Sequence, residues 1–382
     1  VKFLFIIQGE GRGHMTQAIS LSKILKSLGH ELCAVCIGKS QRREIPEFVL
    51  KNIDAPVFLF ESPNFVTDND HKSINLGKTI WQNLLKIKTF KNSLKEIHEL
   101  VTENRPDVIL NFYDILGGFY NAVYRPECEF WVIGHQYLID HPLFPFAPLQ
   151  KIQKLLFQIN TKITSWGADQ KIALSFRPLK ANGKTMILPP LLRTELKNLV
   201  PIKGDFILTY MVNHGYADEL LAQAIQYPEI KIEAFWDKKG VPDFFQPLPN
   251  VIFHKVNDIL FLEKMSQCMA LMTTAGFESV CEAMYLGKPV MMVPVEGQYE
   301  QNCNALDAKI SGAGIIGKSF DFKLLYDYSN SGQFIPTNSR DWADSFQRSL
   351  EIFLAGAFRE NKELGKEFFK VEVAANLDRV PT

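Results

Sequence analysis

The chain has 382 residues, 46% hydrophobic and 22% charged, a length and composition suited to two ordinary globular cores. Lysine plus arginine equals aspartate plus glutamate at 42 each, which excludes an overall basic field for nucleic acid and gives no acidic tail. No run of the sequence reaches the roughly 18 apolar residues that a membrane-spanning helix needs.

In chain order, short β-branched or aromatic runs predict strands near 2–8, 31–37, 56–61, 107–113, 129–135 and 170–175. Helix-period segments fall between them, near 15–28, 41–50, 77–103 and 147–162. Strand alternating with helix predicts a parallel sheet covered on both faces. MILPPLLRTELKNLVPIKGD, with its prolines and glycine, reads as a linker near 187–204. The alternation then restarts, with strands in DFILTYMV, KIEAFW, VIFHKV, MALMTT and PVMMVPV. Helices are expected in ADELLAQAIQY, DILFLEKMSQC, FESVCEAMYLG and from about Gln301 to Ser311. The expected class is α/β, with two doubly wound domains in tandem, 1–190 and 204–356. A ligand would sit outside the carboxyl ends of the strands, in the cleft between them.

KFLFIIQ at the start is too short for a secretory leader and has no small-residue cleavage site after it. Cys33 and Cys36 fall inside the strand-like ELCAVCIG, not at a helix start, and no Cys/His cluster has zinc spacing. Buried free thiols are expected, as suits a reducing cytosol.

FIIQGEGRGHMTQAISLSKIL places Gly9, Gly11, Gly13 and His14 between a strand and a helix. A dinucleotide fingerprint would need glycine where His14 stands, and AVCIGKS offers no acid for an adenosine ribose. The glycines instead allow close backbone approach, and the helix start attracts phosphate. The dipole at a helix start disfavours a protonated ring, so His14 suits a general base; the competing role is a helix cap or a carbonyl-bonded ring. Asp114, in PDVILNFYDILGG, ends a strand on the same sheet edge. It either orients the imidazole or caps the following helix.

The stretch Thr273–Gly314 is the most specific. In GFESVCE, Gly276 and a helix start can face phosphate, and Glu278 and Glu282 share one helix face. A ribose diol is a fitting partner for one such carboxylate; the competing reading is two solvated glutamates. Glu300 and Gln301 are adjacent at a strand-to-helix turn, where an acid beside an amide fits the vicinal hydroxyls of a hexose.

These residues resemble the GT-B glycosyltransferases, above all the branch holding the bacterial peptidoglycan N-acetylglucosaminyltransferase and the UDP-glucosyltransferases of plants and antibiotic pathways. G-x-G-H is similar to the family's Gly-His loop, which implies that His14 is the base and Asp114 its partner. G-F-E-S-x-x-E is similar to G-W-N-S-x-x-E at Gly276, Ser279 and Glu282, implying ribose binding by Glu282. Glu300, Gln301 and Asn304 correspond to the family's donor-sugar contacts. Asn213, His214 and Gly215 stand where the family has a phosphate loop. Thr274, Phe277 and Glu278 replace the plant pattern's histidine, tryptophan and asparagine, and so depart from plant-type donor geometry. The resemblance also implies that a helix at about 357–378 crosses back onto the first domain.

The reaction expected is transfer of a sugar from a nucleotide sugar, UDP most of all, to an acceptor hydroxyl, with inversion and without metal or other cofactor. Backbone N–H groups near Gly276, with Thr274 and the Gly11–Gly13 loop, would meet the departing diphosphate. DND at 68–70 reads as a loop run, not a metal site. A UDP-sugar 2-epimerase would need several acid/base groups around one sugar carbon, and no such set is seen. A nucleotide-sugar-binding protein without turnover is the other alternative. The acceptor, a glycan or a lipid-linked molecule, is not named by the sequence, although HQYLIDHPLFPFAP, with His135, Tyr137 and His141, reads as an acceptor-side loop. Lys78, Lys86, Lys88, Lys91 and Lys95 beside Trp81, Leu85 and Phe90 form either a membrane-resting face at the inner leaflet or a solvated helix face.

Overall fold

The computed structural model describes residues 1–39, 45, 47–63, 86–211, 217–236 and 242–360. Two seven-stranded sheets are present among them. The first contains β1 (Lys2–Gln8), β2 (Glu31–Lys39), β3 (Val57–Glu61), β4 (Val108–Phe112), β5 (Glu129–Gly134), β6 (Gln170–Leu174) and β7 (Thr185–Leu188). Its order is β3-β2-β1-β4-β5-β6-β7, and every pairing is parallel. The accompanying helices are α1 (Arg12–Ser27), α2 (Glu47–Asn52), α3 (Ile87–Asn104), α4 (Ile115–Tyr124) and α5 (Lys151–Thr164). Helices cover both faces, so Phe3 to Ile7 of β1 are all buried, and a continuous apolar run replaces alternation.

The second sheet contains β8 (Phe206–Met211), β9 (Lys231–Trp236), β10 (Phe244–Leu248), β11 (Val251–Lys255), β12 (Ala270–Thr273), β13 (Val290–Met292) and β14 (Gly314–Ile316). Its order is β10-β11-β9-β8-β12-β13-β14, parallel except for the antiparallel β10–β11 edge. With it go α6 (Ala217–Gln226), α7 (Asp258–Gln267), α8 (Phe277–Tyr285), α9 (Tyr299–Ile310), α10 (Phe322–Asn330), α11 (Ser339–Asp344) and α12 (Phe346–Glu360).

Strand order reverses direction between β1 and β4 in one sheet and between β8 and β12 in the other. At such points neighbouring loops diverge and leave a crevice beyond the strand ends. The loops after β1 and β12 carry His14 and Gly276.

Three strands escape the sequence pattern. β7 is four residues long and runs straight into the proline-rich stretch read as linker. β10 contains Pro247 and lies at a sheet edge, where a missing N–H is tolerated. β14 has three residues, too few for a periodic signal. On α3, Lys88, Lys91 and Lys95 are exposed, but Phe90 is buried in the core and offers nothing to a membrane. Lys78, Trp81 and Leu85, like DND, lie outside the described residues. No helix among the described residues is long and apolar enough to cross a membrane. All six cysteines are unpaired.

α12 packs against the first sheet: Trp131 of β5 has Phe353 at 5.1 Å edge-on and Phe358 at 5.5 Å stacked. Residues 361–378 of the expected terminal helix lie outside the described residues. Truncating a buried aromatic loses its transfer free energy and leaves a cavity. Phe353→Ala is expected to lower stability by about 3 kcal/mol in urea unfolding.

Candidate active site between the two sheets

A cleft of about 300 Å³ opens where the two switch points face each other. From the first sheet it is lined by Gly11, Gly13, His14, Gln17 and Gln136. From the second come Thr274, Gly276, Phe277, Glu278, Ser279, Glu282, Glu300 and Gln301. Residues nearly 290 positions apart in the chain therefore share one cavity. Asn213, His214 and Gly215 lie outside the described residues.

His14 sits in the first turn of α1, whose N-cap is Gly11. Its ring is buried and stacks on Tyr113 at 5.8 Å. Burial pushes its pKa down to about 4, with the Gln17 side chain opposing, so the imidazole is neutral at pH 7. The Gln136 Nε2 lies 3.4 Å from His14 Nε2, which marks Nε2 as the acceptor nitrogen. Nδ1 is buried without a hydrogen-bond partner among the described residues.

The expected His14–Asp114 hydrogen bond is not present. Asp114 is the N-cap of α4, and its Oδ1 accepts from the N–H groups of Leu116 (2.8 Å) and Gly117 (3.3 Å). The helix-capping alternative describes this geometry, because α4 starts directly after β4 and needs an acceptor for its first amides. Asp114 Oδ2 is buried and unpartnered among the described residues. Burial raises this carboxyl to about 6, against Ser62 and the Gly117 and Leu116 amides.

α8 presents its N-terminus to the cleft. Its N-cap, Gly276, has extended backbone, and a Cβ there would meet nothing nearer than 4.0 Å. The glycine thus leaves the amides of the first turn uncovered, an anion-binding arrangement. Thr274 precedes this turn, and its carbonyl accepts from the Gly276 N–H at 2.7 Å. Phe277 packs across the interface, stacked on His135 at 4.3 Å and against Phe176 at 4.6 Å.

Glu278 is a carboxylate beside the first-turn amides of α8. It points across the cleft to the first sheet's helix, where Gln17 Nε2 donates to its Oε1. A Cβ on Gly13 would lie 2.2 Å from its Oε2, so Gly13 is the space into which Glu278 fits. Burial raises this carboxyl to about 7, helped by Glu282 and Glu300.

Glu282 is bound by Arg193 in a two-pronged ion pair, Nε to Oε1 at 2.6 Å and Nη2 to Oε2 at 2.7 Å. Each carboxylate oxygen keeps a further lone pair, so the fork orients Glu282 without filling it. Glu300 accepts from Gln136 Nε2 at 2.8 Å, and burial raises its pKa. Gln301 Oε1 accepts from the Val295 N–H at 2.9 Å, which leaves its amide N–H groups as the end it can offer a ligand.

The sequence reading missed Gln17, Tyr113, Gln136 and Arg193. Arg193 stands in the stretch read as linker, and nothing local marks it. Gln136 lies between His135 and Tyr137. His135 bonds the Leu174 carbonyl (2.8 Å), Tyr137 bonds Thr164 Oγ1 (3.2 Å), and Gln136 reaches furthest across the cleft. Tyr113 has φ +61°, uncommon for a bulky residue and a sign of a strained, functional position. Among the described residues no group of three His, Cys, Asp or Glu side chains is placed to hold a metal ion.

Gly13→Ala is expected to drive Glu278 from its place and lower stability, and shortening the opposing side chain in Gly13→Ala/Glu278→Ser should restore part of that stability. Calorimetry on both variants checks this. Glu278 also sets a pH dependence. The folded protein keeps a proton that the unfolded chain releases between pH 4.5 and about 7. The stability from this group is therefore complete below the unfolded value and lost as pH rises through the folded one. Glu278→Gln removes that loss, so its unfolding free energy should gain on wild type between pH 5 and pH 8.5, by up to about 3 kcal/mol.

Residues 1–330 match the model of glycosyl transferase family 1. An uncharacterized glycosyltransferase of Methanosarcina acetivorans is 23% identical over 336 residues, 82% of this chain and 85% of that one. The UDP-N-acetylglucosamine–N-acetylmuramyl-(pentapeptide) pyrophosphoryl-undecaprenol N-acetylglucosamine transferase of Thermotoga petrophila is 27% identical over 130 residues, 32% of this chain and 37% of that one. Among solved structures, Phytolacca americana UGT2 complexed with UDP-2fluoro-glucose and pterostilbene superposes with a TM-score of 0.62 at 11% identity, covering 94% of this chain and 98% of that one. The match to the family model over most of the length, together with the shared two-sheet architecture, places this chain in glycosyl transferase family 1 as a GT-B glycosyltransferase.

Proposed function

We propose that the enzyme transfers a hexose from a UDP-sugar to a hydroxyl of a glycan or lipid-linked acceptor, with inversion and without a metal. The observation that carries this reading is the facing of His14 by the α8 turn and by Glu282 and Glu300 in one cleft. The second sheet holds the donor: Glu282, oriented by Arg193, takes the ribose diol, and Glu300 with Gln301 takes the sugar hydroxyls. The diphosphate lies at the α8 N-terminus, near Gly276 and Thr274, with Arg12 on the opposite wall. Oriented amides and a guanidinium then meet the negative charge that develops on the leaving oxygen.

The acceptor oxygen attacks the anomeric carbon from the face opposite the diphosphate. The new carbon–oxygen bond forms as the bond to the diphosphate oxygen breaks with its electron pair, so configuration inverts. The acceptor proton goes to His14 Nε2, exchanging with the long 3.4 Å contact to Gln136. Neutrality at pH 7 is what this role requires of the ring. Asp114 Oδ2 and His14 Nδ1 are both buried and unpartnered among the described residues. The Asp114 role proposed is to pair with that nitrogen as the imidazolium forms.

The test is calorimetric titration with UDP, ADP and GDP, followed by turnover of UDP-sugars. UDP is expected to bind in preference. Glu282→Gln, which keeps one of the two Arg193 hydrogen bonds, should weaken it by tenfold or more. His14→Ala is expected to keep donor binding and lose at least a hundredfold in kcat, in line with the 10²–10⁴ supplied by general base catalysis. Unchanged transfer by His14→Ala would remove the base assignment, and failure of all three nucleotides to bind would remove the donor site.

A further inference from the structure

Around Glu300 the hydrogen-bond directions are all alike. Gln136 Nε2 carries two hydrogens, and both have acceptors: Glu300 Oε1 at 2.8 Å and His14 Nε2 at 3.4 Å. Asn304 Nδ2 donates to the Ala275 carbonyl at 3.2 Å, and the Asn304 side chain also bonds Glu300. These partners are acceptors, so they set which end of each amide is nitrogen. The oxygen of each amide is left over. Gln136 Oε1 and Asn304 Oδ1 are buried with no partner among the described residues, on side chains that are 6% and 3% exposed. Both residues line the cleft.

A buried carbonyl oxygen without a donor costs free energy, and such an orphan in a cleft points to a ligand that supplies the hydrogen. Two amide oxygens and the free lone pairs of Glu300 form a patch rich in acceptors, with the N–H end of Gln301 as the donor beside it. Glu278, a further acid, lies on the same cleft wall. A hexose presents hydroxyl hydrogens to such a surface. A hexuronate keeps its ring hydroxyls but adds a C6 carboxylate, which supplies no hydrogen and carries a charge of the same sign as an ionised Glu300.

We propose that Gln136, from the first domain, completes the donor-sugar subsite with Asn304 and Glu300, and that this acceptor-rich patch selects a neutral hexose and rejects a hexuronate. The proposal rests on the nucleotide-sugar reading above. Gln136 contributes specificity that Glu300 and Gln301 alone do not, because it lies on the opposite domain and closes the subsite from the acceptor side. Its oxygen binds a sugar hydroxyl only once the two halves of the cleft face each other, as they do here.

Calorimetric titration with UDP, UDP-glucose, UDP-N-acetylglucosamine and UDP-glucuronate tests it on the intact chain. The neutral donors are expected to bind at least tenfold more tightly than UDP-glucuronate. Gln136→Ala should bind UDP as wild type does but lose about fivefold or more for UDP-glucose. Glu300→Gln should narrow the hexose-to-uronate ratio. Equal affinity of wild type for UDP-glucose and UDP-glucuronate overturns the inference while leaving the UDP site intact. So does a Gln136→Ala variant that weakens UDP as much as UDP-glucose, provided its melting temperature matches wild type. Absence of UDP binding altogether removes the donor reading and this inference with it.

Discussion

The arrangement depends on polar contact across the cleft. Glu278 leaves α8 and enters the space that Gly13 lacks a Cβ to fill, and Gln17 meets it there. Glu300 leaves α9 and is met by Gln136. In both cases an acid of the second sheet is satisfied by an amide of the first. Apolar packing adjoins these contacts, as Phe277 stacks on His135 and Phe176, but it has less directional demand. The carboxylate–amide pairs set the register between the two switch points. They also lie where a ligand would, so a donor entering the cleft exchanges contacts with the same groups that hold the halves together.

Burial then sorts the titratable groups. His14, with no carboxylate bonded to it, is driven to the neutral form. Glu278, close to two other acids and facing only an amide, is driven toward its protonated form near neutrality. Glu282 has the Arg193 fork on it instead. Similar side chains thus have different electrostatic surroundings a few residues apart, an arrangement characteristic of functional clefts. The Asp114 capping bonds belong to the same logic. One oxygen is committed to the start of α4, while the other is buried near Ser62 without a hydrogen bond of good geometry among the described residues.

Most of the α/β framework was legible because buried parallel strands are continuous apolar runs. KFLFIIQ and DVILNF could hardly be anything else once glycine-rich turns followed them. The placement of His14, Gly276 and Glu300 at strand-to-helix junctions was legible, the position that topology assigns to ligands, and Glu282 follows one turn further into α8. Gln17, Gln136 and Arg193 were not. Each acts through a partner far away in sequence, 164 positions for Gln136 and Glu300. An amide in a helix or a loop has no periodicity to reveal such a meeting. A direct His14–Asp114 hydrogen bond is not formed here, for the opposite reason. Sequence placed both groups on one sheet edge correctly, but a new helix one residue after Asp114 had first claim on its oxygen. β7, β10 and β14 were missed because three to five residues, one run broken by proline, carry too little pattern.

Gln136 links these observations to the reaction. Its two N–H groups face Glu300 and His14, the proposed sugar ligand and base, and its oxygen is unpartnered among the described residues. When the cleft holds no donor, the amide bridges Glu300 and His14, so the imidazole lone pair is occupied by a weak contact. A sugar hydroxyl that takes the Gln136 oxygen or a Glu300 lone pair changes how the amide is held, and the 3.4 Å contact to His14 is the weakest of its bonds and the first to yield. The base would then be released for the acceptor hydroxyl when the donor sugar is seated. On the proposed function, donor binding and base availability would be joined through one side chain, without any movement larger than the rotation of an amide.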